Sequence, residues 1–232
     1  MKSVFYALRR FAVTMMPTEF KTAIATEESK LLTWAYAQAN DTEIWGAETE
    51  QERILLAGEL DNINPEAAFG EFLSIAERGS PWCIGLVGYR YQVGLGVPRD
   101  IDQAERWYRL AVARGVQQAQ LRLGTLYYRQ RKFTQAEGVY QIGAAQKWAP
   151  AMYRLAWCKL KTSSSRQVLA EARLLLEEAS AKGDLGAEQY LATLITTGRF
   201  GLRQIPSGWR RYKEADRRIS VQLGEDAPSW AK

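Results

Sequence analysis

The sequence predicts an all-α protein, a right-handed α/α solenoid of stacked helix pairs. Three observations carry that prediction. Small residues recur at Cys83, Ala119, Ala151 and Ala187, in steps of 36, 32 and 36 positions, and another small residue follows each by five: Gly88, Gly124, Ala156 and Ala192. Fifteen positions before each stands an alanine (Ala68, Ala104, Ala136, Ala172), and eleven before stands a large residue (Phe72, Tyr108, Tyr140, Leu176). A period in this range, with two helical patterns per copy, is the mark of helix pairs stacked one on the next. The third observation is the turns. Gly79, Gly115 and Gly183 sit four residues before Cys83, Ala119 and Ala187, where a left-handed C′ glycine ends the second helix of a copy.

The columns have a steric reason. Helices A and B of one copy cross closely, and a side chain larger than alanine at the crossing would hold them apart. Large residues such as Tyr108 and Tyr140 then fill the space toward the next copy. The starts of the B helices agree: Asp100 and Gln103 read as an N-cap and its N3 partner. Asn64-Pro65 reads as a cap followed by proline at the first helical position.

Element by element, the chain begins with Phe5, Leu8, Ala12 and Met15 on one helical face. That face either packs on the first repeat or lies on a membrane surface. Arg9 and Arg10 interrupt the apolar run, so no signal peptide is expected. Residues 18–60 read as two further helices, with an acidic first turn at Glu19 after Thr18 and a break at Asn40-Asp41. We assign residues 1–60 to an N-terminal helical cap, 61–223 to about four to five repeats and 224–232 to a short polar tail. No linker or low-complexity segment divides the chain, so one domain is expected.

These residues resemble the Sel-one-like repeat, a relative of the tetratricopeptide repeat with a longer, glycine-containing loop between its helices. The best copy, 83–118, has Gly88, Tyr91, Gly94-x-Gly96-Val97, Asp100, Ala104, Trp107-Tyr108, Ala111 and Gly115. The copy at 119–150 keeps Leu123-Gly124, Tyr127, Ala136 and Tyr140 but loses the glycine loop. That at 151–186 keeps Leu155-Ala156, Ala172, Ala179, Ala181 and Gly183, with Leu175-Leu176 in place of the aromatic pair. A last copy, 187–221, keeps Leu191-Ala192, Gly198, Tyr212 and Ala215; half a copy with Ala68, Phe72 and Gly79 precedes them all. The resemblance implies a bacterial, non-enzymatic adaptor of the kind used in envelope assembly, secretion, polysaccharide export and signalling. An enzyme or small-molecule binder on the same solenoid is the alternative.

Composition narrows the chemistry. The 232 residues are 47% hydrophobic and 25% charged, ordinary for a globular protein. No run approaches the ~20 apolar residues a membrane span needs. Histidine is absent, which removes the commonest general base, the Ser-His and Cys-His pairs and the commonest zinc ligand. Glu48, Glu50, Glu52 and Glu177-Glu178 read as solvated positions on helices. Gly94 and Gly96 belong to the repeat loop and not to a phosphate loop, since no strand precedes them and no Lys-Ser/Thr follows. A few relatives have been credited with β-lactam hydrolysis, but the only Ser-x-x-Lys match, Ser229 to Lys232, lies in the tail. No catalytic residue, metal site or cofactor is expected. Cys83 and Cys158 map two copies apart, too far for a disulfide. Some secreted members of the family carry a cysteine pair per repeat; this chain does not, which favours the cytoplasm.

Binding is left to surfaces. Stepping by the period aligns Leu86, Arg122, Arg154 and Tyr190 on the concave side of the A helices. It aligns Tyr89, Thr125, Trp157 and Thr193 next to them, and then Val93, Arg129, Lys161 and Thr197. Tyr89, Arg122, Tyr128, Arg129, Arg154 and Trp157 are the candidate groove, with Arg122 and Arg154 side by side and aromatic rings beside them. Arginine and aromatic residues are the types enriched at interface hot spots. Such a groove suits a protein or peptide segment that is acidic with a hydrophobic anchor. The net charge of +5 concentrates near the C-terminus, where Arg210, Arg211 and Lys213 form a candidate basic patch beside Trp209. Tyr212 and Ala215 there occupy repeat core columns, so a solvated face or an anionic partner is expected and nucleic acid is not.

Overall fold

The structure is a computed structural model in which residues 41–222 are described. Those residues form two compact units, 41–146 and 147–222. Among them are eleven α-helices, one short 3-10 turn and no strand. None of the described helices is long and apolar enough to cross a membrane. The expected helix over Met1–Met16, the one after Thr18 and the tail 224–232 lie outside the described residues.

The first unit contains α1 (Asp41–Gly46), α2 (Gln51–Asp61), α3 (Pro65–Glu77), α4 (Pro81–Val93), α5 (Ile101–Ala113), α6 (Gln117–Arg129) and α7 (Phe133–Ala145). From α2 onward each helix packs on its neighbour in the chain, and α1 touches α4. The small-residue columns are its core: Ala68, Cys83, Ala104, Tyr108, Ala136 and Tyr140 are all fully buried. Close crossing is visible at the glycines. A Cβ on Gly88 would stand 2.8 Å from Cδ1 of Tyr108, and one on Gly124 would overlap the Tyr140 ring. Gly79, Gly94 and Gly115 take left-handed φ values of 101, 80 and 79°, as helix-ending positions require. In the loop between α4 and α5, Gly96 lies against the Pro65 carbonyl, where any side chain would collide.

Two expectations are corrected here. The Asp100 carboxylate caps α5 by accepting from the amides of Asp102 and Gln103, both at 2.9 Å, but the reciprocal half of the box is missing. The Asp100 amide donates instead to the Tyr91 carbonyl at 2.9 Å, which ties the loop back to α4. The helix expected after Asp41 also breaks between Gly46 and Gln51. Glu48 causes the break, for it is buried and not solvated. Its carboxylate accepts from the Glu50 amide at 3.1 Å and from the Ser80 hydroxyl at 2.5 Å. A local side-chain acceptor of this kind competes with helix continuation.

The second unit contains α8 (Ala149–Thr162), α9 (Arg166–Ala181), α10 (Leu185–Thr196), the 3-10 turn Leu202–Gln204 and α11 (Ile205–Gln222). Here too neighbours pack in order, and α8 also touches α10. Ala151, Ala156, Ala172, Leu176, Ala187 and Ala192 are all fully buried. Ser165 caps α9, accepting from the Val168 amide at 3.2 Å. The column Gly79, Gly115, Gly183 has a fourth member, Lys147, with φ 59°. A non-glycine residue holds the left-handed turn here, at a cost of about 1–2 kcal/mol. Cys83 and Cys158 are both buried, one in each unit.

Candidate functional site

In the first unit the exposed side of the A helices carries a partly enclosed pocket of about 100 Å³. Ile44 of α1, Trp82, Gly85, Leu86 and Tyr89 of α4, and Val116, Gln118 and Arg122 at the start of α6 line it. The repeat explains the arrangement. Leu86 and Arg122 are equivalent positions of successive copies, and Tyr89 stands one turn beyond Leu86 on the same face of α4. Arg122 therefore reaches back over Tyr89, with Cζ 4.4 Å from the ring centroid. Its Nε donates to Gln118 Oε1 at 3.4 Å. A guanidinium stacked on an aromatic face is held in place while its edge points to acceptors. The chemistry on offer is an apolar recess with a cationic rim.

The other candidate residues divide. Arg129 is exposed. Tyr128 turns to Phe133 at the entry to α7, its ring edge-on with centroids 5.3 Å apart, so it contributes to the turn and not to the pocket. In the second unit, Trp157 is half-buried between two cations of its own helix, Arg154 Cζ at 5.7 Å and Lys161 Nζ at 5.8 Å from the ring. Arg154 departs from the expectation of an open groove residue, being only 5% exposed. Its guanidinium lies 5.0 Å from the Tyr153 ring centroid as well as against Trp157, and it offsets the charge of Asp184. Column spacing places a residue on a face; the rings flanking it decide whether water reaches it.

Two buried charges carried no expectation. Arg90 is 3% exposed and makes a bidentate pair with Asp61, at 2.9 and 2.6 Å, beneath the Phe72 ring. Asp184 caps α10, accepting from the Ala187 amide at 2.7 Å. Burial pushes its carboxyl up from 3.8 to about 6, against the pull of the Ala187 amide and of Arg154. Between those two pH values the folded chain holds a proton that the unfolded chain has lost. The contribution of Asp184 to stability therefore falls as pH rises through that window. Asp184→Asn keeps the capping acceptor and removes the charge, so at pH 7 it is expected to be more stable than the parent by up to about 3 kcal/mol. The check is the difference in unfolding free energy between variant and parent at pH 4 and pH 7. A difference that does not widen toward pH 7 would show that the buried carboxylate costs nothing.

Burial also pushes the Cys83 thiol up to about 12, which leaves it protonated and a poor nucleophile. On α11, Arg210, Arg211 and Lys213 are exposed and Trp209 is 38% exposed. Among the described residues no carboxylate pairs with those three cations, whereas Arg217 pairs with Glu214 and Arg218 with Glu188. Asp216, close to this patch in sequence, is buried, and burial raises its carboxyl.

Comparison with known proteins agrees with this architecture. The Sel1 repeat model matches residues 85–116 and 149–184, the copies formed by α4 with α5 and by α8 with α9. A putative sel1-like repeat-containing protein of Acanthamoeba polyphaga mimivirus is 31% identical over 77 residues, which is 33% of this chain and 14% of that protein. A protective antigen of uropathogenic Escherichia coli strains, displaying an SLR fold, is similar in structure with a TM-score of 0.56 and 25% identity. That similarity covers 68% of this chain and 36% of the antigen. A Sel1 repeat protein from Oxalobacter formigenes superposes with a TM-score of 0.63 at 19% identity, over 75% of this chain and 77% of the other. The chain thus spans only a fraction of the mimivirus and Escherichia coli proteins it matches.

Proposed function

We propose that this chain, in which the Sel1 repeat model matches residues 85–116 and 149–184, is a non-enzymatic interaction scaffold holding a protein or peptide partner on the exposed side of its A helices. Sel1 repeats generally mediate protein–protein interaction. The observation that supports a specific face is the pocket with Arg122 stacked over Tyr89 at its rim. An acidic segment with an apolar anchor is the partner this chemistry favours, since guanidinium pairs carboxylate in bidentate fashion and the recess takes the anchor. With only two cysteines in the given sequence, the repeats carry no cysteine pair of their own, which fits a reducing compartment such as the cytoplasm.

Panning a random ten-residue peptide library against the protein tests this reading. The expected outcome is enrichment of Asp or Glu next to a large apolar residue, with enriched peptides competing with one another for one site. Enrichment no greater than for Gly/Ser-only peptides would refute it. The exposed cations of α11 support a second reading, an anionic partner on Arg210, Arg211 and Lys213. Peptides that are acidic throughout and lack any apolar anchor would favour that surface.

A further inference from the structure

We infer that the pocket beside Tyr89 and Arg122 accepts one branched aliphatic side chain, of leucine size, with a carboxylate adjacent to it on Arg122. This deepens the scaffold reading and rests on it. Size comes first. The pocket holds about 100 Å³, less than the ~150 Å³ cavity that suffices for a benzene ring, so an aliphatic chain fits where an indole does not. Lining comes second. Ile44, Leu86 and Val116 offer only carbon, Trp82 and Tyr89 offer ring faces with one polar tip each, and Gln118 and Arg122 stand one turn apart on α6. An apolar side chain thus meets mainly carbon and ring faces, while a charged neighbour meets the rim.

The third observation is Gly85. It lines the pocket from within α4, a position where glycine costs helix stability. A Cβ there would meet Val116 Cγ1 at 3.7 Å, ordinary contact, so no close crossing explains this glycine as Tyr108 explains Gly88. What the missing side chain does is leave the recess open.

The carboxylate is that of an Asp or Glu side chain next to the leucine, as an acidic segment with an apolar anchor supplies, and a peptide C-terminus is the alternative that the test exposes. Four probes are titrated into labelled protein and followed by amide chemical shifts: N-acetyl-leucine, N-acetyl-leucinamide, acetyl-Asp-Leu-amide and N-acetyl-tryptophan. Saturable shifts over α4, Val116 and α6 are expected for acetyl-Asp-Leu-amide, with a dissociation constant of about 1 mM as befits so small a ligand, and binding of N-acetyl-leucine alone would overturn the side-chain carboxylate. The carboxylate-free leucinamide should bind about tenfold more weakly, and Arg122→Ala should erase that difference. Gly85→Leu should fill the recess and abolish all binding. Should that variant fail to fold by circular dichroism, Leu86→Ala serves instead, and is expected to shift preference toward N-acetyl-tryptophan.

Equal or tighter binding of the tryptophan probe to the parent protein overturns the inference, as does binding untouched by these substitutions. No saturation by any probe overturns it too. If library peptides still bind this face in that case, the scaffold reading survives its loss.

Discussion

Gly124→Leu is expected to destabilise the protein by at least 1–3 kcal/mol, the usual range for overpacking. It belongs at the upper end because the Tyr140 ring already occupies the space that the new Cβ would enter. The ring cannot withdraw easily. Tyr140 is fully buried, and its hydroxyl lies 3.2 Å from the Thr125 hydroxyl. Arg129→Ala, five residues further along the same helix and exposed, should change stability by no more than about 0.5 kcal/mol. Urea denaturation of the two variants checks the pair. Equal midpoints would mean that Gly124 is not a crossing point and that the column assignment fails. Adding Tyr140→Ala to Gly124→Leu should recover part of the loss, since the leucine then fills the vacated space.

Arg90→Ala should cost about 3–5 kcal/mol, the range for removing one partner of a buried ion pair. Asp61 is still 24% exposed, which places the loss toward the lower end. The substitution also removes the cation from the Phe72 ring, 4.5 Å away, and opens a void where the long stem packed. Removing both charges should hurt less than removing one, because no orphaned charge then stays behind. Thermal unfolding of Arg90→Met, Asp61→Leu and the double variant measures this directly. A double variant whose loss equals the sum of the singles would show that the two residues do not act as a pair.

The core was readable from the sequence because its rule is steric and periodic. A close helix crossing admits only small side chains, and the crossing recurs with each copy, so Cys83, Ala119, Ala151 and Ala187 announce themselves. The glycine turns follow from the same logic, since a left-handed residue must end each B helix. Lys147 escaped notice because it takes that conformation without being glycine. Spacing was silent on buried charge. The partners Arg90 and Asp61 are 29 positions apart, and no period links them. Glu48 looked solvated because its partner, the Ser80 hydroxyl, comes from the start of α4, 32 positions on. The pocket was half readable. Repeat stepping aligned Arg122 with Leu86 and set Tyr89 in the neighbouring column, and those three line it. Trp82, Val116 and Ile44 were missed, because each flanks the face from a position the alignment did not single out. Arg154 shares the column of Arg122 yet is buried, for Tyr153 and Trp157 close over it.

The central claim is that partner binding runs through the Tyr89–Arg122 face. Its most direct test is the affinity of one enriched acidic peptide, by isothermal titration calorimetry, for the parent, Arg122→Ala, Tyr89→Ala and the Arg210→Ala/Arg211→Ala double variant. A charge-assisted contact predicts a loss of about 1–3 kcal/mol, roughly 5- to 150-fold, for Arg122→Ala, with thermal midpoints unchanged and the α11 double variant binding like the parent. Parent-like affinity in Arg122→Ala and Tyr89→Ala, with binding lost in the double variant, would contradict the claim and move the site to α11.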